Sequence, residues 1–338
     1  MTDAQQRADE EQRTEPEQRS ILVVAHARRD DTVDAAERVI AELRTAGARP
    51  VLARDDLAEL QVARPSIDGI AVLGDDVPVG DIELAIVLGG DGTILRAAEL
   101  VRDGTAPILG INMGHVGFLA ETERDDMDDA VRRVISRDYE VEERLALRVR
   151  VKDSANNVLY ETWALNEATV EKASRERMLE VVIEIDGRPL SSFGCDGVVV
   201  STATGSTAYN FSAGGPVIWP TVEAISVVPL SAHALFAKPL VVGPEHAVAI
   251  EVMERNNGLG VLWCDGRRSH DLPPGARVVV RRSDRPVRLA RLHPATFTDR
   301  LVRKFRLPVE GWRGPASTAS RPATPPADGH GVAKGAAE

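Results

Sequence analysis

The chain is poor in cysteine, poor in aromatic residues and free of long apolar runs, and each shortage narrows its class. Two cysteines, Cys195 and Cys264, stand far apart among 338 residues. They supply neither a disulfide framework nor a Cys-rich zinc site, and they fit a reducing compartment. No stretch approaches the ~18 consecutive apolar residues of a membrane-spanning helix. Met1 to Arg19 is dense in Glu, Gln and Arg and holds no apolar core of a secretory signal, which predicts a cytoplasmic protein that does not engage a membrane. There is no Gly-x-x-x-x-Gly-Lys-Ser/Thr loop, and no Gly-x-Gly-x-x-Gly after the first apolar strand. That excludes a P-loop ATPase and an ordinary nicotinamide dehydrogenase. No His, Cys or carboxylate set has metal-site spacing, so no protein metal ligands are predicted, and Ser206 lacks evident His and Asp partners. A net charge of −11, part of it in the opening tail, argues against nucleic acid as a partner. Arg281, Arg282, Arg285, Arg288, Arg291, Arg303 and Arg306 crowd the last third, but no aromatic residues are interleaved with them. They read as a solvated or anion-facing surface.

What is present is ample apolar content, 43% of residues, arranged in two styles. Residues 1–19 and 314–338 are too polar or too rich in Ala, Pro, Ser, Thr and Gly to offset their ordering entropy, and both are expected to be disordered. From 20 to 143, short apolar strands alternate with amphipathic helices: Ile21 to Val24, a helix opened by Asp31 or Thr32 and stopped at Gly47, Val51 to Ala53, and Ile82 to Leu88. A helix through Ile94, Leu95, Ala98 and Val101 follows, then the strand Pro107 to Ile111 and a helix burying Met127, Ala130, Val131 and Val134. This alternation predicts an α/β domain with a mostly parallel sheet. From 144 to 297 the period becomes two, beginning with Leu145 to Lys152, and Leu179 to Ile185 runs into the hairpin signal Asp186-Gly187. A β-rich, sandwich-like domain is expected here. The segment 298–313 carries Leu301, Val302 and Phe305 at helical spacing and is expected to pack back on the first domain. No internal repeat is found.

Three constellations carry chemistry. Gly89-Gly90-Asp91-Gly92-Thr93 lies between a strand and a helix, where open α/β sheets collect ligands. Its glycines let backbone amides approach an anion, and Asp91 can accept a hydroxyl proton; taken alone, Asp91 also reads as a helix cap. Asn166-Glu167 follows the strand Tyr160 to Leu165, and reads either as a ribose-binding pair or as a surface strand end. Asp196-Gly197 and the run Thr202 to Pro216 are dense in hydroxyls and glycines that suit phosphate and ribose oxygens, with Tyr209 as a stacking face.

In this order, with Gly110-Ile111-Asn112 and Gly114-His115-Val116-Gly117-Phe118-Leu119 between the first two, these motifs resemble the NAD kinase family over most of Ile21 to about Pro308. The Gly-Gly-Asp-Gly motif alone is shared with lipid kinases and phosphofructokinase-like enzymes; the whole set is far more specific. The resemblance implies NAD bound between two domains, Mg²⁺ with ATP or inorganic polyphosphate as phosphoryl donor, and a homo-oligomer, dimer or tetramer. It implies Asp91 as the proton acceptor and Gly89, Gly90, Gly92 and Thr93 at the donor phosphates. NAD contacts fall to Asp91, Gly92, Arg96, Asn166, Glu167, Arg177 and Asp196, and to the run Thr207, Ala208, Tyr209, Asn210, Phe211 and Ser212. The chain departs from the pattern of some members at Gly194, where they carry a basic residue, and at Arg267 and Arg268, where others carry an amide. A lipid or sphingoid-base kinase and a non-catalytic dinucleotide sensor are the competing readings. The first calls for an amphipathic interfacial helix, the second for loss of the base.

Overall fold

The computed structural model describes residues 18–27, 29–114, 117–174, 177–256, 258–292 and 297–309. The tails expected to be disordered fall outside them, apart from Gln18 and Arg19. Arg19 is no tail residue: its guanidinium pairs with Glu83 at 2.6–2.8 Å and donates to the carbonyls of Val134 and Ile135, anchoring the entry to the first strand.

Eight strands form the first sheet. Along its path run Ala71–Val72, Arg49–Leu52, Ser20–Ala25, Ile82–Leu88, Ile108–Asn112, Val287–Arg291 and Glu140–Arg144, with Thr122–Glu123 pairing beside Ile108–Asn112. All these pairings are parallel except the last, Val287–Arg291 against Glu140–Arg144. The central strands are apolar throughout because both faces are covered. On one face, α1 (Asp30–Thr45) packs Val33, Ala36, Val39, Ile40 and Leu43 in a core shared with α4 (Met127–Ser136). On the other, α3 (Asp91–Leu100) packs Ile94, Leu95, Ala97 and Ala98. Helix α1 opens at Asp30 with Arg29 as its cap residue, two or three positions ahead of the expected cap. Asp31 serves in an ion pair with Arg29 and Thr32 is buried. Helix α2 (Arg54–Ala63) escapes the periodicity reading because only Asp56 and Leu60 of it are buried.

Two six-stranded sheets stack as a sandwich in the second half, every pairing in them antiparallel. One contains Glu167–Lys172, Gly197–Thr202 and Gly260–Cys264; the other contains Leu147–Lys152, Leu179–Ile185 and Val248–Val252. Alternate residues of both, such as Val149, Val151, Val181, Val198, Val200 and Leu262, meet in one core. Both cysteines lie there, and burial pushes each thiol up to about 12, which leaves them inert. The Asp186-Gly187 turn has φ of 51° and 74°, the double left-handed conformation that a tight hairpin demands.

The chain then returns. Val287–Arg291 joins the first sheet, and α6 (Phe297–Phe305) lays Arg300 on the carbonyl of Phe118 at 2.9 Å. The second span thus sends a strand and a helix back to the first.

Helix α3 sits close on its sheet because Gly110 has no side chain: a Cβ there would lie 2.5 Å from Ile94 Cδ1 and 3.0 Å from Ala120 Cα. Gly110→Ala is expected to cost about 1–3 kcal/mol through overpacking, read as a lower midpoint in denaturant unfolding followed by circular dichroism.

Candidate active site

The strand Ile82–Leu88 ends in Gly89-Gly90, and α3 begins at Asp91 with Gly90 in extended backbone as its cap residue. Gly90 has no side chain with which to cap the helix, and Asp91 is the first helical residue. Its carboxylate reaches a loop 27 residues onward, where Oδ2 accepts the N–H of Phe118 at 3.1 Å and Oδ1 that of Leu119 at 3.0 Å. Gly117 is obligatory at this contact, since a Cβ there would collide with the Asp91 carboxylate. The side chain stays partly exposed, and each oxygen keeps a second lone pair. Gly90 and Gly92 face open space, with no atom within 4 Å of where a Cβ would stand. Gly89 differs. Its missing side chain makes room for Thr93, which is buried against it. Thr93 therefore supports the turn from beneath.

The second group is built around Asp265. Its buried carboxylate accepts the N–H groups of Leu165 at 2.9 Å, Asn166 at 2.7 Å and Glu167 at 3.3 Å, and pairs with Arg268 at 2.7 Å. This turns the backbone so that Asn166 and Glu167 project from the strand end. Opposite them, Thr202 donates from Oγ1 to the Leu165 carbonyl at 2.6 Å, and Gly205 lies so close to the Asn166 carbonyl that no other residue fits. Glu167 is 8% exposed, and its Oε2 has no partner among the described residues. Burial, then the neighbouring Asp265 charge, push the Glu167 carboxyl up to about 8, against a bond from the Tyr209 amide. Burial also raises Asp265. Of the two, Asp265 has three amides and a guanidinium that favour its charged form, so the shared proton rests on Glu167.

These groups face one another. Leu165 packs in the same core as Ile94, Leu95 and Ala98 of α3. The Phe305 ring touches both Phe118 (centroids 5.7 Å apart) and Phe211 (4.3 Å), so the loop holding Asp91 and the short helix α5 (Tyr209–Ser212) share one wall. A family model described as the ATP-NAD kinase N-terminal domain matches residues 21–139, and one described as the ATP-NAD kinase C-terminal domain matches 165–292. The chain belongs to the NAD kinase family. It is 65% identical to the NAD kinase of Leifsonia xyli subsp. xyli over 298 residues, covering 88% of this chain and 98% of that protein. It is 55% identical to NAD kinase 2 of Streptomyces coelicolor, also over 298 residues, covering 88% and 97%. Among solved structures, yeast NADH kinase complexed with NADH shares the fold, with a TM-score of 0.77 at 22% identity and coverage of 92% and 91%. The NAD kinase from Archaeoglobus fulgidus in complex with ATP has a TM-score of 0.62 at 26% identity, covering 85% of this chain and 98% of that one.

Within this family frame, several residues expected at the ligand stand elsewhere. Arg96 turns back into the first domain and pairs with the buried Asp56 at 2.5 Å. Asn210 is fully buried, donating to the carbonyls of Ser206 and Pro216 at 3.2 and 3.0 Å, with Gly215 pressed against its amide. It braces the Gly214-Gly215-Pro216 turn. Ser206 is equally structural, donating to Ala203 and accepting from Ile218. Tyr209, Phe211 and Ser212 are exposed, Thr207 and Ala208 partly so, and Arg177 is exposed before the strand Leu179–Ile185. Asp196 is held below the usual carboxylate range chiefly by Lys172 at 2.5 Å. Arg267 meets Glu99 of α3 at 3.1 Å. His115 lies outside the described residues. The sequence reading missed Asp265 as an organiser, and Glu99 as the partner of Arg267 and Arg268 across the domain junction. The Asp265-Gly266 pair, with φ of 54° and 63°, repeats the hairpin signal of Asp186-Gly187 and locates the turn. Nothing local links it to Asn166.

Because the folded protein holds a proton on Glu167 that the unfolded chain releases near its ordinary value of 4.5, stability falls as pH rises from about 4.5 to about 8. Glu167→Gln is expected to remove that dependence, flattening a slope of up to about 1 kcal/mol per pH unit. Urea unfolding of both proteins at pH 5.5, 6.5 and 7.5 checks it; parallel slopes would return the proton to Asp265.

Proposed function

We propose that this chain is an NAD kinase that moves the terminal phosphoryl group of ATP, or of inorganic polyphosphate, to the 2′-hydroxyl of the adenosine ribose of NAD, making NADP. The observation that carries the reading is Asp91: a carboxylate at the head of α3, fixed by the amides of Phe118 and Leu119 yet partly open to solvent. Phosphoryl transfer asks a protein for positioning and charge neutralisation more than for covalent chemistry. Asp91 accepts the hydroxyl proton as the oxygen attacks phosphorus, and the exposed backbone of Gly90 and Gly92 leaves room for the donor phosphates at a helix N-terminus, where negative charge is favoured. Asn166 and the protonated Glu167 hold the acceptor sugar. Asp196, Arg177 and the face of Thr207, Ala208, Tyr209, Phe211 and Ser212 hold the rest of the dinucleotide.

Among the described residues no three His, Cys, Asp or Glu side chains gather at ion-binding distance. Mg²⁺ therefore enters this proposal as part of the substrate, complexed to the donor phosphates. A cytoplasmic location and a homo-oligomeric assembly belong to the same reading; among the described residues no helix is long and apolar enough to cross a membrane. Two observations disfavour the competitors. The amphipathic helix α6, which a lipid kinase would lay on a bilayer, spends Phe297 and Phe305 on Phe118, Phe211 and Trp219. A mere sensor has no need of an open carboxylate opposite the dinucleotide wall.

Purified protein with NAD, Mg²⁺ and ATP should yield NADP, detected with an NADP-dependent dehydrogenase; a parallel tube with polyphosphate reads the donor. Asp91→Asn should retain NAD binding by calorimetry and lose turnover by roughly 10²–10⁴-fold. A near-normal rate in that variant, with binding intact, would remove Asp91 from the chemistry.

A further inference from the structure

A second concavity, of about 670 Å³, lies under α6 and is lined by neither Asp91, Asn166, Glu167 nor the Thr207–Ser212 run. Phe118 forms its wall on the side toward Asp91. Its polar side holds Arg144, Arg291 and Arg300, and its apolar side Phe118, Trp219 and Phe297.

Among the described residues the charges on the polar side do not balance locally. Arg291 reaches Glu121 at 2.9 Å and Glu142 at 2.6 Å, Arg300 reaches the same Glu121 at 3.0 Å, and Arg144 reaches the same Glu142 at 2.9 Å. Three largely buried guanidinium groups thus share two carboxylates. Arg144 is 8% exposed, and its Nε has no hydrogen-bond partner among the described residues. Burial, with Arg291 nearby, pulls both Arg144 and Arg300 below the usual guanidinium range. The remaining lining charges pair off or face water: Arg133 with Asp138 at 2.7 Å, Arg137 with Glu83 at 2.9 Å, and the exposed Glu140 at the rim. An uncompensated buried cation is costly, so a site of this kind is completed by an anion.

The apolar side says what the anion is attached to. Trp219 is 46% exposed and meets Phe297 edge-on at 4.7 Å, leaving indole surface open beside the arginines. A flat ring laid against Trp219 and a phosphate among three arginines match this cavity, whose volume falls in the range of ligand pockets. We propose that the cavity between Trp219 and the Arg144–Arg291–Arg300 cluster is a second binding site, separate from the Asp91 site, for a nucleoside phosphate. The site is placed to act on the first. Arg300 donates to the Phe118 carbonyl while the Phe118 amide holds Asp91, so a ligand engaging Arg300 bears on the loop that fixes the base.

The test uses full-length protein, calorimetry and AMP as the probe, with NAD at saturation to fill the acceptor part of the Asp91 site; the variants at Trp219 and Arg144 separate AMP in the second cavity from AMP at the donor glycines. Wild type should bind one further equivalent of AMP, and adenosine or inorganic phosphate alone should bind at least tenfold more weakly, since each keeps only half of the recognition. Trp219→Ala and Arg144→Gln should each weaken AMP by roughly tenfold or more while leaving KM for NAD within about twofold. Trp219→Ala is a change at a half-exposed side chain, so it stands if Arg144→Gln fails to fold. AMP binding that NAD abolishes, or that both folded variants keep unchanged, would overturn the second site, as would no AMP binding at all. The AMP outcomes are read by binding alone and not by turnover, so they leave the kinase reading untouched.

Discussion

Three successive backbone N–H groups, those of Leu165, Asn166 and Glu167, converge on the one buried carboxylate of Asp265, and the geometry of the candidate site follows from that convergence. A strand end facing a domain boundary has amides with no ladder partner, and leaving them unsatisfied in a buried place costs about 1–3 kcal/mol each. Asp265 meets all three at once. Its own charge is then held by Arg268, which also lies 3.4 Å from Glu99 on α3. The helix with Asp91 at its head is thereby tied, through Glu99, Arg268 and Asp265, to the backbone that presents Asn166 and Glu167.

Packing reinforces this tie. Leu165 is wholly buried with the apolar face of α3, and Trp163, two residues earlier, lies under the guanidinium groups of Arg102 and Arg268 at 4.3 and 4.5 Å. Stacked arginine is attracted by the ring face, and Arg268 is held by its ion pairs at the same time. Arg102 also donates to Ser283 Oγ at 2.9 Å and to the Arg285 carbonyl at 2.8 Å, at the point where the chain leaves the sandwich for the first sheet. The junction is thus a set of buried polar contacts around one apolar contact, a construction that fixes orientation more than it adds stability.

How much of this was legible depended on whether the information was local. The parallel and antiparallel halves were readable because their apolar periods differ, and the glycine-rich turn before α3 because glycines with no room for a Cβ, such as Gly89, leave a direct mark. Helix α2 was not, since it buries too few side chains to show a period. The strand Val287–Arg291 was not either, because its partners lie about 145 and 180 residues earlier in the chain. The same rule separates the site residues. Asp91 and Glu167 stand out by motif, but the motif could not tell that Arg96 would find Asp56, or that Asn210 would spend its amide on the Gly215 turn. Long side chains and amides choose among partners that only the fold supplies.

The division of labour between the halves explains why one motif serves chemically different kinases. The first domain offers a carboxylate fixed by two amides and open glycine backbone beside it, which suits any hydroxyl attacking any terminal phosphate. Nothing in that arrangement selects a dinucleotide. On the proposed reading selection comes from the sandwich, where a neutral, buried Glu167 can donate a hydrogen bond as well as accept one, and where a site built to hydrogen-bond a sugar rejects molecules lacking the matching group by leaving its own polar atoms unpaired. Oε2 of Glu167, which has no partner among the described residues, is such an atom. Asp265, Thr202 and Gly205 already fix the backbone that presents it, so a ligand that completes its bonding gains what a poorer one forfeits.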